Sequence, residues 1–228
     1  MSRLQRDIQT PLRDRLVKWA AIALSLFASA CFMAAAIGSQ SYWWLGLITL
    51  LPLFNAIRIL SPVRAGACGA FWGLSLFGVC ALIGSTQISG DLTSAAYLGL
   101  IPGFYAFAGS ALTRRVGFSP YLLGFGWIGV EFALQPLGLH YGLLAGTQSG
   151  DGLAIRLVGG FAGYALVAFL VAYINATLLT VLGQVRAAIA QPPPVVRAAA
   201  IQRRVYSTEI PSYLSHLLRI SQPRAPPV

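Results

Sequence analysis

The sequence predicts an all-α, polytopic membrane protein with six transmembrane helices and both termini in the cytoplasm, and three observations carry that expectation. Apolar residues make up 57% of the 228 residues and charged residues only 10%, with a mean hydropathy of +0.71. Such a composition excludes both a soluble enzyme and a disordered chain. The apolar residues gather in six runs near the length that a bilayer core of about 30 Å demands, roughly 20 residues per helix. Finally, the basic residues fall almost wholly on one side of those runs.

The runs are residues 19–37, 42–57, 67–84, 95–112, 121–139 and 157–182. The second is the shortest, and Trp43 and Trp44 are expected to mark one interface while Arg58 snorkels at the other. Pro52, Pro102 and Pro136 are candidates to kink their helices. Alternating the runs across a membrane puts Arg3, Arg6, Arg13, Arg15 and Lys18, then Arg58 and Arg64, then Arg114 and Arg115, and then the basic tail from Arg186 onward on one side. The opposite side holds Arg156 alone. The chain then divides into a basic cytoplasmic segment (1–18), a six-helix bundle (19–182) and a basic, Pro-rich cytoplasmic tail (183–228), in a bacterial inner membrane.

The net charge of +10 is thereby explained by topology, and no nucleic-acid-binding pattern accompanies it. The expected partners are membrane lipids, through anionic headgroups at the basic face, and other membrane protein subunits. The stretch Ala28-Ser29-Ala30-Cys31 faintly resembles a lipoprotein signal, yet the apolar run continues past it, so a retained first helix is expected. Cys31, Cys68 and Cys80 lie inside the runs without CxxC spacing and read as small buried residues, implying neither metal nor disulfide. No cofactor motif is present, and His140 and His216 fall on opposite sides of the membrane.

Past the triple proline at 192–194, Ile210, Leu214, Leu217 and Leu218 repeat at helical spacing. They fit either a short amphipathic helix on the inner leaflet or a disordered tail. Within the bundle, glycines four apart (Gly69 and Gly73, Gly99 and Gly103, Gly159 and Gly163) permit close helix contact.

Two groups of polar residues are candidate sites. Glu131 is the acidic residue set inside a run, and Gln135 lies one turn later on the same face, with Asn175 or Thr177 of the sixth run able to reach it. This intramembrane set serves either as a polar clasp between helices or as a proton-carrying or headgroup-orienting site. The second group, His140, Tyr141, Asp151 and Arg156, lies on the outward loop 140–156, where Arg156 is expected to pair with Asp151 or a lipid phosphate. A His and an Asp suit general acid-base chemistry, but no Ser or Cys nucleophile stands in a dyad or elbow context, so no catalytic residue is assigned.

Two segments give the chain a family resemblance: Trp72-Gly73-Leu74-Ser75-Leu76-Phe77-Gly78 and Gly126-Trp127-Ile128-Gly129-Val130-Glu131-Phe132. With Gly159-Gly160-Phe161-Ala162-Gly163-Tyr164 through Asn175-Ala176, they resemble the membrane half of apolipoprotein N-acyltransferase over residues 43–182. The chain departs from that family where Ala133-Leu134-Gln135 replaces an Arg and a Gly after the glutamate, and where Leu139-His140-Tyr141 replaces a Phe-Pro-Trp. The family's seventh helix, its nitrilase-like domain with a Glu-Lys-Cys set and its closing helix have no counterpart in this sequence. The resemblance implies a non-catalytic scaffold or accessory subunit of a larger inner-membrane complex. Its alternatives are a lipid- or lipoprotein-binding subunit of a split N-acyltransferase, or a small transporter using Glu131.

Overall fold

The computed structural model describes residues 12–83, 92–135, 143–144 and 160–190. They form an all-helical fold: α1 (Leu12–Gly38), a 3-10 helix (Gln40–Leu47), α2 (Leu51–Ile59), α3 (Pro62–Leu82), α4 (Leu92–Val116), α5 (Pro120–Leu134) and α6 (Gly160–Ala190). Four segments are long and apolar enough to cross a membrane: α1, the composite Ser41–Ile59, α3, and Gly163–Ala190 within α6. The chain divides by contact at Val181 and Leu182 into two units, the first holding the bundle and the second holding the exposed last turns of α6.

Local chemistry sets the helix boundaries. Helix α1 is already helical at Leu12, well before Trp19, and nothing between them breaks it; its first described turns are exposed and its buried stripe begins at Leu26 and runs through Ala30, Met33, Ala34 and Ile37. The same helix passes Ala28–Cys31 without interruption. Helix α3 starts at Pro62 instead of residue 67, since Pro62 sits in the first turn after the extended Ser61, where its missing N–H costs nothing. Helix α4 ends with Arg114 and Arg115 in its last turn, where cations suit the carbonyl end of the dipole. Gly117 follows with φ of 88°, a left-handed conformation that glycine adopts freely, and its N–H bonds Thr113 O at 3.0 Å.

The second apolar run is a broken helix, not a single short one. Tyr42 has non-helical backbone angles, residues 48–50 form a turn, and α2 resumes only at Leu51. Pro52 lacks the N–H that a continuous helix would aim at Ile48 O, and Leu51 N takes that carbonyl instead at 3.2 Å. The break leaves backbone groups unpaired inside an apolar bundle, and side chains from other helices must satisfy them.

Helices α3 and α4 approach at backbone distance. A Cβ placed on Gly73 would lie 2.6 Å from Gly99 O, and one on Gly69 would lie 2.5 Å from Pro102 O. In return, Gly99 faces the backbone of Leu74, and Gly103 faces Ala70. Glycines four apart on both helices thus mesh along one seam, the packing that small residues permit where lipid supplies no hydrophobic drive. Helix α5 meets α6 more loosely, through Phe125 and Phe169 with rings 4.8 Å apart and through Gly124 beneath Phe169.

Aromatic side chains fill the centre. Trp72 of α3 and Trp127 of α5 meet edge to face at 6.1 Å, and Tyr105 of α4 meets Trp127 at 5.2 Å and 88°. Phe54 of α2 packs on Tyr105 at 6.4 Å. All four rings are buried, so one cluster ties four helices together. Cys31, Cys68 and Cys80 are free thiols, the latter two buried.

Candidate functional site

Glu131 stands one turn after Trp127 on α5, so their side chains share a face. The Trp127 indole N–H donates to Glu131 Oε1 at 2.9 Å. The backbone N–H of Leu144 reaches the same oxygen at 2.8 Å, and that of Leu143 reaches Oε2 at 2.5 Å. Glu131 is 5% exposed. Its carboxylate therefore accepts from one indole and two successive amides, and it pins the chain at residues 143–144 against the end of α5. A buried acceptor so surrounded has its hydrogen-bonding needs met from within the protein.

Glu131 stands three residues before Leu134, the last residue of α5. Gln135 occupies the cap position there and is half-buried.

Asn175 of α6 is fully buried and is bonded elsewhere. Its Oδ1 accepts the Leu50 N–H at 3.0 Å, and its Nδ2 donates to Gly46 O at 3.0 Å and to Val171 O at 2.9 Å. One amide thus satisfies a donor and an acceptor freed by the broken second helix, both distant in sequence. Ser29 of α1 completes the repair: its hydroxyl donates to Thr49 O and accepts the Trp72 indole N–H, the latter at 2.9 Å. Thr49 Oγ1 in turn lies 3.5 Å from Met33 Sδ.

Two polar groups result. One joins α1, the helix break, α3 and α6 through Ser29, Thr49, Trp72 and Asn175. The other joins α5 to residues 143–144 through Glu131 and Trp127, and the contact between Trp72 and Trp127 is where they adjoin. Among the described residues, hydrogen bonds link Glu131 neither to Gln135 nor to Asn175. Thr177 Oγ1 is buried with no hydrogen-bond partner among the described residues. The second predicted group, His140, Tyr141, Asp151 and Arg156, lies outside the described residues, as do the tail leucines from Ile210 to Leu218.

Sequence reasoning missed Ser29, Thr49 and Tyr105. Ser29 drew notice only as part of a signal-like tetrapeptide. The usable cue was Gly46 followed by Pro52 in a short run, which foretells a broken helix and thus a need for buried amide or hydroxyl partners.

Local contacts also collect the basic residues. Arg64 of α3 lies 5.9 Å from the Trp19 ring of α1, and Arg58 of α2 lies 5.7 Å from the Phe118 ring in the turn between α4 and α5. Ser110 near the end of α4 donates to Leu60 O at 2.9 Å, which holds the end of α2 beside that turn. No group of three His, Cys, Asp or Glu side chains fit to hold a metal occurs among the described residues. No protein-family model matches the chain, and no curated protein or solved structure matches it either.

Proposed function

We propose that this chain is a multi-pass protein of a bacterial inner membrane that acts as a non-catalytic scaffold or accessory subunit of a larger membrane assembly. The observation that carries the reading is the state of Glu131: three internal donors, two of them backbone amides, meet a carboxylate that is 5% exposed. A proton carrier needs a carboxylate with access to water, whereas a latch needs one that is fully engaged. The engagement of Asn175 and Ser29 with the broken helix supports the same role, since both hold backbone together. Arg58 and Arg64, each beside an aromatic ring on a neighbouring element, support an arrangement of six spans with the basic ends and both termini in the cytoplasm.

A second reading, a lipid- or lipoprotein-binding subunit of a split N-acyltransferase, draws support from one fact. Trp72, Trp127 and Glu131, which lie in the two segments that carry the resemblance, are neighbours in space.

Gentle detergent extraction of the native protein tests the first reading. A partner at fixed stoichiometry is expected, and Glu131→Gln should retain it at a cost of about 2 kcal/mol, since the amide NH2 would face an N–H donor that the carboxylate now accepts. Uptake of a solute by proteoliposomes that disappears in Glu131→Gln would replace the scaffold with a carrier. A nitrilase-like protein as the bound partner would favour the split enzyme. A reporter active only in the periplasm, fused at Val228, should stay silent.

A further inference from the structure

Between α4 and α5 runs an apolar groove of about 370 Å³. It extends from Leu112 and Leu122 at one end to Ile101 and Ala133 at the other, with Gly126 and Gly129 on its α5 side. A Cβ added to Gly129 would meet nothing within 4 Å, so the space over that residue is open. Eleven helical steps separate Ile101 from Leu112, about 16 Å at 1.5 Å per residue. One leaflet of a core about 30 Å thick has nearly the same depth.

The Leu112 end is the basic one. Arg114 and Arg115 follow within three residues, and Arg58 lies over Phe118 in the turn that joins the two helices. All three arginines are exposed, and among the described residues no carboxylate pairs with them. A cleft that is apolar along one leaflet and cationic at its mouth matches a lipid with a hydrocarbon chain and an anionic head.

We propose that this groove holds one acyl chain of an anionic phospholipid, whose phosphate is bound by Arg58, Arg114 and Arg115. The site goes beyond the scaffold role and requires only that the bundle lie in a membrane. The loss of a partner subunit and the loss of this lipid are separate readouts.

Native mass spectrometry of the full chain in mild detergent, titrated with phosphatidylglycerol and with phosphatidylcholine of the same chains, tests the proposal. The wild type should retain phosphatidylglycerol about tenfold more tightly. Replacing all three residues (Arg58→Gln, Arg114→Gln, Arg115→Gln) should erase that preference while leaving the weaker binding common to both lipids. Gly129→Leu, which fills the groove, should weaken both lipids by about tenfold. Equal retention of the two lipids by the wild type, or a preference that survives the arginine replacements, overturns the proposal. Because the arginine variant changes exposed positions alone, it decides the matter even where Gly129→Leu fails to fold.

Discussion

Toward α3, helix α4 is held at backbone distance, with Gly99 and Gly103 set against Gly73, Leu74 and Ala70. Toward α5 it stands off behind aromatic rings and leaves a groove of about 370 Å³. Glycines line both sides, so glycine content alone does not decide how closely two helices approach. What differs is register. On the α3 side, small residues four apart on both helices fall opposite one another, and nothing holds the backbones apart. On the α5 side, a Cβ added to Gly126 would lie 3.0 Å from the Tyr105 ring, and one added to Gly129 would meet nothing within 4 Å. The ring acts as a spacer, anchored by the bond from Tyr105 Oη to Leu123 O at 2.8 Å.

The seam is where the largest effect is expected. Gly73→Val would drive a branched side chain into the Gly99 backbone, which has no rotamer by which to yield. Destabilisation of about 3 kcal/mol is expected, at the upper end of overpacking costs, read as a loss of helical signal at lower denaturant in a detergent titration. Gly69→Val, aimed at Pro102 O, should behave alike. If either variant unfolds no earlier than the wild type, the seam is not the rigid half of the molecule.

A smaller loss is expected where polar side chains, not close packing, hold the bundle. Asn175→Ala removes the partner of the Leu50 N–H and a donor to Gly46 O, leaving both groups in an apolar interior. About 2 kcal/mol is expected, measured by thermal unfolding in micelles. Hydrogen exchange at Leu50 should quicken with it, which a purely volumetric defect would not require. Ser29→Ala should cost about 1 kcal/mol, because it strands the Trp72 indole N–H and removes the hydroxyl that donates to Thr49 O.

These cases also mark what the sequence made legible. Each α-helix among the described residues overlaps an apolar run, because in such a chain hydropathy reflects the dominant energy term, although four segments and not six are long and apolar enough to cross a membrane. Boundaries were displaced where capping chemistry outweighed hydropathy, as at Ser61 and Pro62, which bring Arg64 inside α3. Within the candidate site, Glu131 stood out as a charge among apolar residues, but its partners did not. Two are backbone amides of leucines, and a leucine's side chain says nothing about where its N–H points. Trp127, four residues before Glu131, was as near along the helix as Gln135, four residues after, and spacing alone does not choose between them; the carboxylate takes the indole N–H. Asn175 was legible as a buried amide, but its partners at Gly46 and Leu50 depend on a helix break, visible only through Gly46 and Pro52.

The smallest expected effect discriminates most sharply between the two faces of α4. Gly129→Ala and Gly73→Ala add the same methyl group to a helical glycine, and in isolation each would favour the helix by up to about 1 kcal/mol. At Gly73 that gain is overwhelmed, since the new atom would sit 2.8 Å from Gly99 Cα. At Gly129 nothing lies within 4 Å, and the methyl projects into open space. Gly129→Ala is therefore expected to leave stability unchanged or raise it by about 0.5 kcal/mol, while Gly73→Ala lowers it. Unfolding midpoints of the two variants, measured side by side in one detergent, should move in opposite directions. A matched loss in both would mean that α5 closes on α4 as tightly as α3 does, leaving no room for a hydrocarbon chain between them.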